Sequence, residues 1–254
     1  MCGDCGCEQA NTKYFEEELN KATKTLHLER NILEKNDRIA HQNYHWFEDQ
    51  RMLALNIMSS PGSGKTSLLE KTLAALNTRY KISVLVGDQQ SENDANRLRA
   101  FSSAVKQIIT HSSCHLDADM IKRELDTYVS PNADVLFIEN VGNLVCPAAF
   151  DLGESAKIAL LSTTEGEDKP IKYPVLFNKA SAVLLTKTDL IPYLDWNEEI
   201  CIQAIRKVNP TAKIIKVSTK TGKGMADWID YVELLISMKQ KQLGCVKHRE
   251  VHFE

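Results

Sequence analysis

The sequence predicts an α/β fold in which a mostly parallel sheet carries helices on both faces, preceded by an N-terminal metal-binding tail and helix. Two observations carry that expectation. Short apolar runs (Leu53 to Met58, Ile82 to Val86, Asp134 to Ile138) alternate with longer helix-favouring stretches. The first of these runs feeds a glycine-rich turn, Ser59-Ser60-Pro61-Gly62-Ser63-Gly64-Lys65-Thr66, that opens into Ser67-Leu68-Leu69-Glu70-Lys71-Thr72-Leu73. The 254 residues, 43% hydrophobic and 26% charged, suffice for one sizeable core with an appendage. The expected divisions are a cysteine-bearing tail and helical arm over 1–50, a nucleotide domain over 51–242, and a polar tail over 243–254.

Composition excludes several function classes. A formal net charge of -3 gives no electrostatic case for nucleic acid or an anionic membrane. No apolar run approaches the roughly 20 residues of a membrane span. The start, Met1-Cys2-Gly3-Asp4-Cys5-Gly6-Cys7-Glu8, has neither the basic region nor the apolar core of a secretory signal, so a cytoplasmic location is expected. Seven unevenly placed cysteines argue against a disulfide framework and for metal binding or reactivity.

In chain order, the tail comes first. Cys2, Cys5 and Cys7 are spaced C-x2-C-x-C, and three thiolates suit a soft or borderline cation. The terminal amine could supply a fourth ligand, and a planar thiolate-and-amine set favours Ni(II) over tetrahedral Zn(II). Tyr14 to about Asp37 reads as a surface or partner-docking helix, with Phe15, Leu19, Ala22 and Leu26 on one face, loosely extended by Ile32, Leu33 and Ile39. His41 and His45 have a spacing that could bind metal, but lie beside Tyr44, Trp46 and Phe47, where packing and solvent exposure explain them more simply.

The glycine-rich turn has the strand–turn–helix context of a phosphate-binding loop, although Ser59 replaces the usual first glycine. Gly62 and Gly64 let backbone N–H groups converge on phosphate oxygens. Lys65 would reach the β/γ-phosphates and Thr66 would hold Mg²⁺, within a nucleotide-binding stretch from Pro61 through Ser63 to Ser67. Asp88 ends the second strand, where ligands gather, and could bind Mg²⁺ through water or orient the attacking water. Asp94 reads as a helix cap.

A third strand, Val105 to Thr110, leads to Cys114 and His115 ahead of a helix from about Asp117 to Tyr128. The fourth apolar run ends in Glu139, whose carboxylate would help hold the Mg²⁺ shell, and Gly142 can offer its N–H to a γ-phosphate. Cys146 lies four residues beyond Gly142, a span of at most about 14 Å. A segment that follows the γ-phosphate would therefore drag Cys146 with it, making Cys114, His115 and Cys146 a candidate metal set. Lys157 to Ser162 and Ala182 to Leu185 are expected strands, the latter running into Thr186-Lys187-Thr188-Asp189, the guanine pattern [NT]-K-x-D. Asp189 can accept from two guanine N–H donors that adenine lacks, and Lys187 would lay its stem over the base. A last strand, Lys213 to Val217, precedes Ser218-Thr219-Lys220, expected near the base. Helices from about Asp195 to Val208 and Gly224 to Gln240 complete the alternation.

These signals together resemble the hydrogenase nickel-incorporation GTPases, the HypB family within the G3E group of P-loop GTPases. The resemblance rests on Ser59 to Thr66, Cys114 to Ala118, Glu139 to Pro147 and Thr186 to Asp189, with Cys2, Cys5, Gly6 and Cys7 matching an N-terminal nickel site of some members. It implies GTP and GDP as nucleotides, Mg²⁺ as cofactor, Ni²⁺ or Zn²⁺ at Cys114, His115 and Cys146, and a nucleotide-dependent homodimer. It also implies a HypA-type nickel chaperone and the hydrogenase large-subunit precursor as partners. Lys65, Asp88, Glu139 and Gly142 are the expected catalytic group; with no arginine finger or glutamine evident, turnover should be slow. The alternative is a urease-type or other G3E metal chaperone, though its Cys-Pro-His motif is absent.

Overall fold

The computed structural model describes residues 30–90, 92–102, 104–111 and 113–246, together with Thr23. The Cys2, Cys5 and Cys7 site and most of the expected Tyr14 helix lie outside the described residues.

Seven strands form one sheet in the order β3-β2-β4-β1-β5-β6-β7, every pair parallel. They are β1 (Leu53–Ser59), β2 (Ile82–Asp88), β3 (Val105–Ile109), β4 (Val135–Glu139), β5 (Ala156–Ser162), β6 (Ala182–Thr186) and β7 (Lys213–Lys216). The helices are α1 (30–49), α2 (Lys65–Leu76), α3 (Asn93–Arg99), α4 (Ala118–Thr127), α5 (Cys146–Ala149), α6 (Lys169–Lys172), α7 (Pro174–Lys179), α8 (Glu198–Val208) and α9 (Met225–Val246). A 3-10 turn, Thr188–Tyr193, follows β6.

Side chains alternate along each strand, so the sheet has two cores. Leu53, Leu55 and Ile57 of β1 pack with Leu69 and Leu73 of α2 and with Trp228 and Val232 of α9. The Trp228 indole N–H donates to Thr72 Oγ1 at 2.8 Å, pinning α9 to α2. On the opposite face, Leu136 and Ile138 meet Leu116, Ile121 of α4 and Phe47 of α1, while Leu161 and Leu185 meet Phe177 of α7 and Ile205 of α8. The sheet's edges are β3, where Lys106 lies over the Tyr128 ring at 5.6 Å, and β7, only four residues long with an exposed lysine at each end.

Three expectations need correction. Asp94 is not the cap of α3; Glu92 holds that position and Asp94 lies in the first turn. α9 runs to Val246, so the expected boundary at 242 falls inside a helix. And Ile32, expected to extend the apolar face of the Tyr14 helix, does not lie on the inward face of α1. Its inward face is Asn36, Ala40, Asn43 and Phe47, and Ile32 is exposed. Buried asparagines do not register in hydrophobic periodicity, so the apolar pattern does not reveal this face. Asn36 Nδ2 donates to Asp151 O at 2.8 Å and its Oδ1 accepts from Ala118 N at 2.9 Å. Asn43 Nδ2 donates to Ala118 O at 2.8 Å and Leu152 O at 3.1 Å. The helix thus closes backbone hydrogen bonds for two loops at once.

α1 lies so close to the 151–154 loop that only Gly153 fits. It holds φ +84, and a Cβ there would strike Ala40 O and approach Tyr44 N to 2.7 Å. Gly153→Ala should lower the unfolding free energy by at least about 2 kcal/mol, measured by urea denaturation, through left-handed strain plus displacement of α1.

Candidate functional site

A cleft of about 510 Å³ opens at the carboxyl ends of the central strands. Its floor is the turn between β1 and α2, where Gly62 and Gly64 take φ +72 and +98. Pro61, Gly64, Lys65, Thr66 and Ser67 line it from one side, Asp88 and Glu139 from another, and Lys187 completes the lining.

Lys65 is buried; burial holds its ammonium below the usual lysine range while Glu139 pulls the other way. Its Nζ donates to Ser59 Oγ at 3.1 Å, so the serine in the usual glycine position has a local task. Thr66 Oγ1 donates to Glu139 Oε1 at 2.7 Å, while Glu139 Oε2 is buried with no hydrogen-bond partner. A hydroxyl and a carboxylate with one unsatisfied oxygen, at the mouth of a phosphate loop, fit a hard divalent cation. Asp88 Oδ1 accepts from Gln90 N at 3.2 Å at the end of β2.

The expected base-recognition residues separate. Thr186 Oγ1 donates to Ser63 O at 2.7 Å and Thr163 Oγ1 to Lys187 O at 2.9 Å, so the segment that opens with Lys187 is tied to the phosphate loop. Ser218 is buried and donates to Asp189 Oδ1 at 2.6 Å, fixing that carboxylate. Thr219 and Lys220 instead face a second cleft beside Lys71 and Arg79.

Several residues were not anticipated. Glu165 accepts from Ser60 Oγ at 2.6 Å and, through Oε1, from Ser63 Oγ at 2.8 Å and Ser162 N at 3.1 Å. It clamps the phosphate loop from the end of the neighbouring β5. Arg97 reaches the cleft wall, bonded to Glu70 Oε1 at 2.9 Å and Ser67 Oγ at 3.2 Å. An acidic residue just past a strand beside the phosphate loop was the only available signal for Glu165.

The second cluster is Cys114, His115 and Cys146, whose candidate ligand atoms lie within 4.8 Å of one another. The two Sγ atoms are 2.8 Å apart, both cysteines are free, and Cys114 Sγ is 3.9 Å from His115 Nδ1. The Cys114 contact and burial push the Cys146 thiol up, and burial holds the His115 ring below the usual histidine range. His115 stacks on Phe150, ring centroids 3.8 Å apart, and Ser113 Oγ lies 3.3 Å from Nδ1. Two sulfurs and an imidazole suit a borderline cation and leave a coordination position open. His111 is not part of the cluster.

Two connections join the cluster to the cleft. A Cβ on Gly142 would lie 3.0 Å from Pro61 Cα, so the segment leading to Cys146 rests directly on the phosphate loop. Asn140 is buried; its Oδ1 accepts from Leu116 N at 3.2 Å and its Nδ2 donates to Asn56 Oδ1 at 3.1 Å. Leu116 directly follows His115. Both halves of the cluster therefore hang from the Glu139–Gly142 segment.

Residues 53–216 match the family described as CobW/HypB/UreG, nucleotide-binding domain. The chain belongs to the CobW/HypB/UreG family. It is 51% identical over 211 residues to the hydrogenase maturation factor HypB of Azotobacter vinelandii, covering 83% of this chain and 70% of that protein. Among solved structures, HypB of Archaeoglobus fulgidus matches at 38% identity and TM-score 0.76, covering 80% of this chain and all (100%) of that one. HypB of Helicobacter pylori in complex with nickel matches at 38% identity and TM-score 0.74, covering 82% of this chain and 96% of that one. The expected parallel α/β architecture is that of the CobW/HypB/UreG nucleotide-binding domain.

Burial pushes Glu139 up to about 7. A carboxyl raised in the folded state stabilises while protonated; that contribution is full below the ordinary carboxylate range and declines as pH rises through the folded value. Metal-free, nucleotide-free protein should lose about 3 kcal/mol of unfolding free energy between about pH 4.5 and pH 8 on this account. Glu139→Gln should flatten that part of the profile, read by chemical denaturation across the pH range.

Proposed function

We propose that this chain is a GTP-hydrolysing nickel metallochaperone that delivers nickel to the hydrogenase large-subunit precursor during maturation. The observation that carries the reading is the shared mounting of the nucleotide cleft and the Cys114, His115 and Cys146 cluster on the Glu139 to Cys146 segment. The hydrogenase maturation name of the relatives and the nickel in the H. pylori HypB structure support the cargo and the process.

The chain's own residues account for the chemistry. The phosphate-loop amides and Lys65 bind the β/γ-phosphates and stabilise charge that develops as water attacks the γ-phosphate. Thr66 and Glu139 would hold Mg²⁺, which supplies further neutralisation of the phosphate oxygens. Asp88, across the cleft, is suited to orient water. Asp189, held by Ser218, recognises guanine, with Lys187 along the base. Gly142 receives the γ-phosphate beside Pro61 and passes its position to Cys146. Among the described residues, Arg97 is committed to Glu70 and Ser67, so slow intrinsic turnover fits. A nucleotide-dependent homodimer fits the exposed Val145 beside Cys146, and a HypA-type chaperone is the expected nickel partner. Zn²⁺ can compete for the same thiols.

Nucleotide can alter metal affinity only through differential binding to two states, typically about 1–3 kcal/mol or roughly 5–150-fold. Nickel affinity of the Cys114, His115 and Cys146 site should therefore differ at least about fivefold between GDP and a non-hydrolysable GTP analogue. Equal affinities by calorimetry would overturn the coupling. Asp189→Ala should abolish the preference for GTP over ATP in competition binding while leaving phosphate contacts intact.

A further inference from the structure

The structure brings together two side chains that neither site uses. His41 and His45 are one turn apart on α1, both exposed, and their Nε2 atoms are 3.3 Å from each other with the rings edge to face at 81°. Exposed imidazoles with water at hand gain little from a single mutual hydrogen bond. The convergence of the two Nε2 atoms matters instead because it places two ligand atoms of one type at a chelating distance. Two nitrogens about 2.05 Å from one ion and 3.3 Å from each other subtend about 107°, the tetrahedral value.

We propose that His41 and His45 form a separate, solvent-open site for a borderline divalent cation such as Ni²⁺ or Zn²⁺. Imidazole pairs select such ions over Mg²⁺ or Ca²⁺, which prefer oxygen. Water fills the remaining positions, so the site holds an ion transiently. Its place on α1 gives that a use. The buried face of the same helix is bonded through Asn36 and Asn43 to Ala118 and to the 151–152 backbone, the segments that follow His115 and Phe150. Phe150 stacks on His115. The pair is thus fixed to the scaffold of the thiol cluster and serves as an entry point for aquated metal on its way to Cys114, His115 and Cys146.

The test uses the full chain with Cys2, Cys5, Cys7, Cys114 and Cys146 changed to serine, with and without His41→Gln and His45→Gln. Both histidines are exposed on a helix and glutamine is a good helix former, so folding is preserved; circular dichroism and nucleotide binding check it. Nickel bound is measured by equilibrium dialysis, and by quenching of Trp46, which follows His45 in sequence. The histidine-bearing protein should bind about one more nickel ion per chain and show a saturable quench that is absent from the double glutamine variant and from Trp46→Phe. Equal stoichiometry would overturn the site. With the cysteines restored, the glutamine variant should load the thiol cluster more slowly to the same end point; an unchanged rate would overturn the entry role. Neither outcome depends on GTP hydrolysis.

Discussion

The parallel register between β1 and β4 sets the whole working end of the molecule. Ile57 pairs with Glu139, so the strand that feeds the phosphate loop and the strand that delivers the acidic residue finish side by side. The Thr66–Glu139 hydrogen bond closes across that gap. A slip of one residue would turn Glu139 to the other face of the sheet and separate it from Thr66. The register is enforced by burial on both faces, since every residue of β1 and of β4 is buried. A hydrophobic constraint thus positions a charged group.

A second, polar layer transmits that geometry outward. Asn140 leans on Asn56, and Asn56 Nδ2 donates to Glu154 Oε1 at 2.8 Å, a buried carboxylate also paired with Lys157 at 2.8 Å. Burial raises Glu154, and the adjoining Lys157 opposes it. Such a network is costly to leave half satisfied, so its members move together or not at all. Leu116 N is hydrogen-bonded to it and α1 is bonded to the loops on either side. Whatever displaces Asn140 is felt at Cys114 and His115 through a bond, and at Cys146 along the six positions of chain that separate them.

The parts legible in the sequence were those whose partners are near in the chain or whose pattern is apolar. All seven strands follow from short apolar runs, even β7, where only Ile215 is buried, and the phosphate loop follows from its glycines, lysine and threonine. Cys146 could be tied to the nucleotide end because its tether to Gly142 is short. Glu165 could not, because its partners Ser60 and Ser63 lie more than a hundred residues earlier. The inward face of α1 was hidden for a related reason. Asn36 and Asn43 look solvated until the loops they satisfy are in place, and Asp94 looks like a cap because Glu92, which holds that position, makes no side-chain cap hydrogen bond and is not a usual capping residue.

The edges of the sheet carry a consequence for how copies of the chain can meet. β7 offers four residues with a lysine at each end, and β3 is overlaid by the Lys106–Tyr128 contact. Strand-to-strand addition at either border would bury those ammonium groups against a second backbone, which is unfavourable. Encounters between molecules are thereby steered away from extension of the sheet at either border.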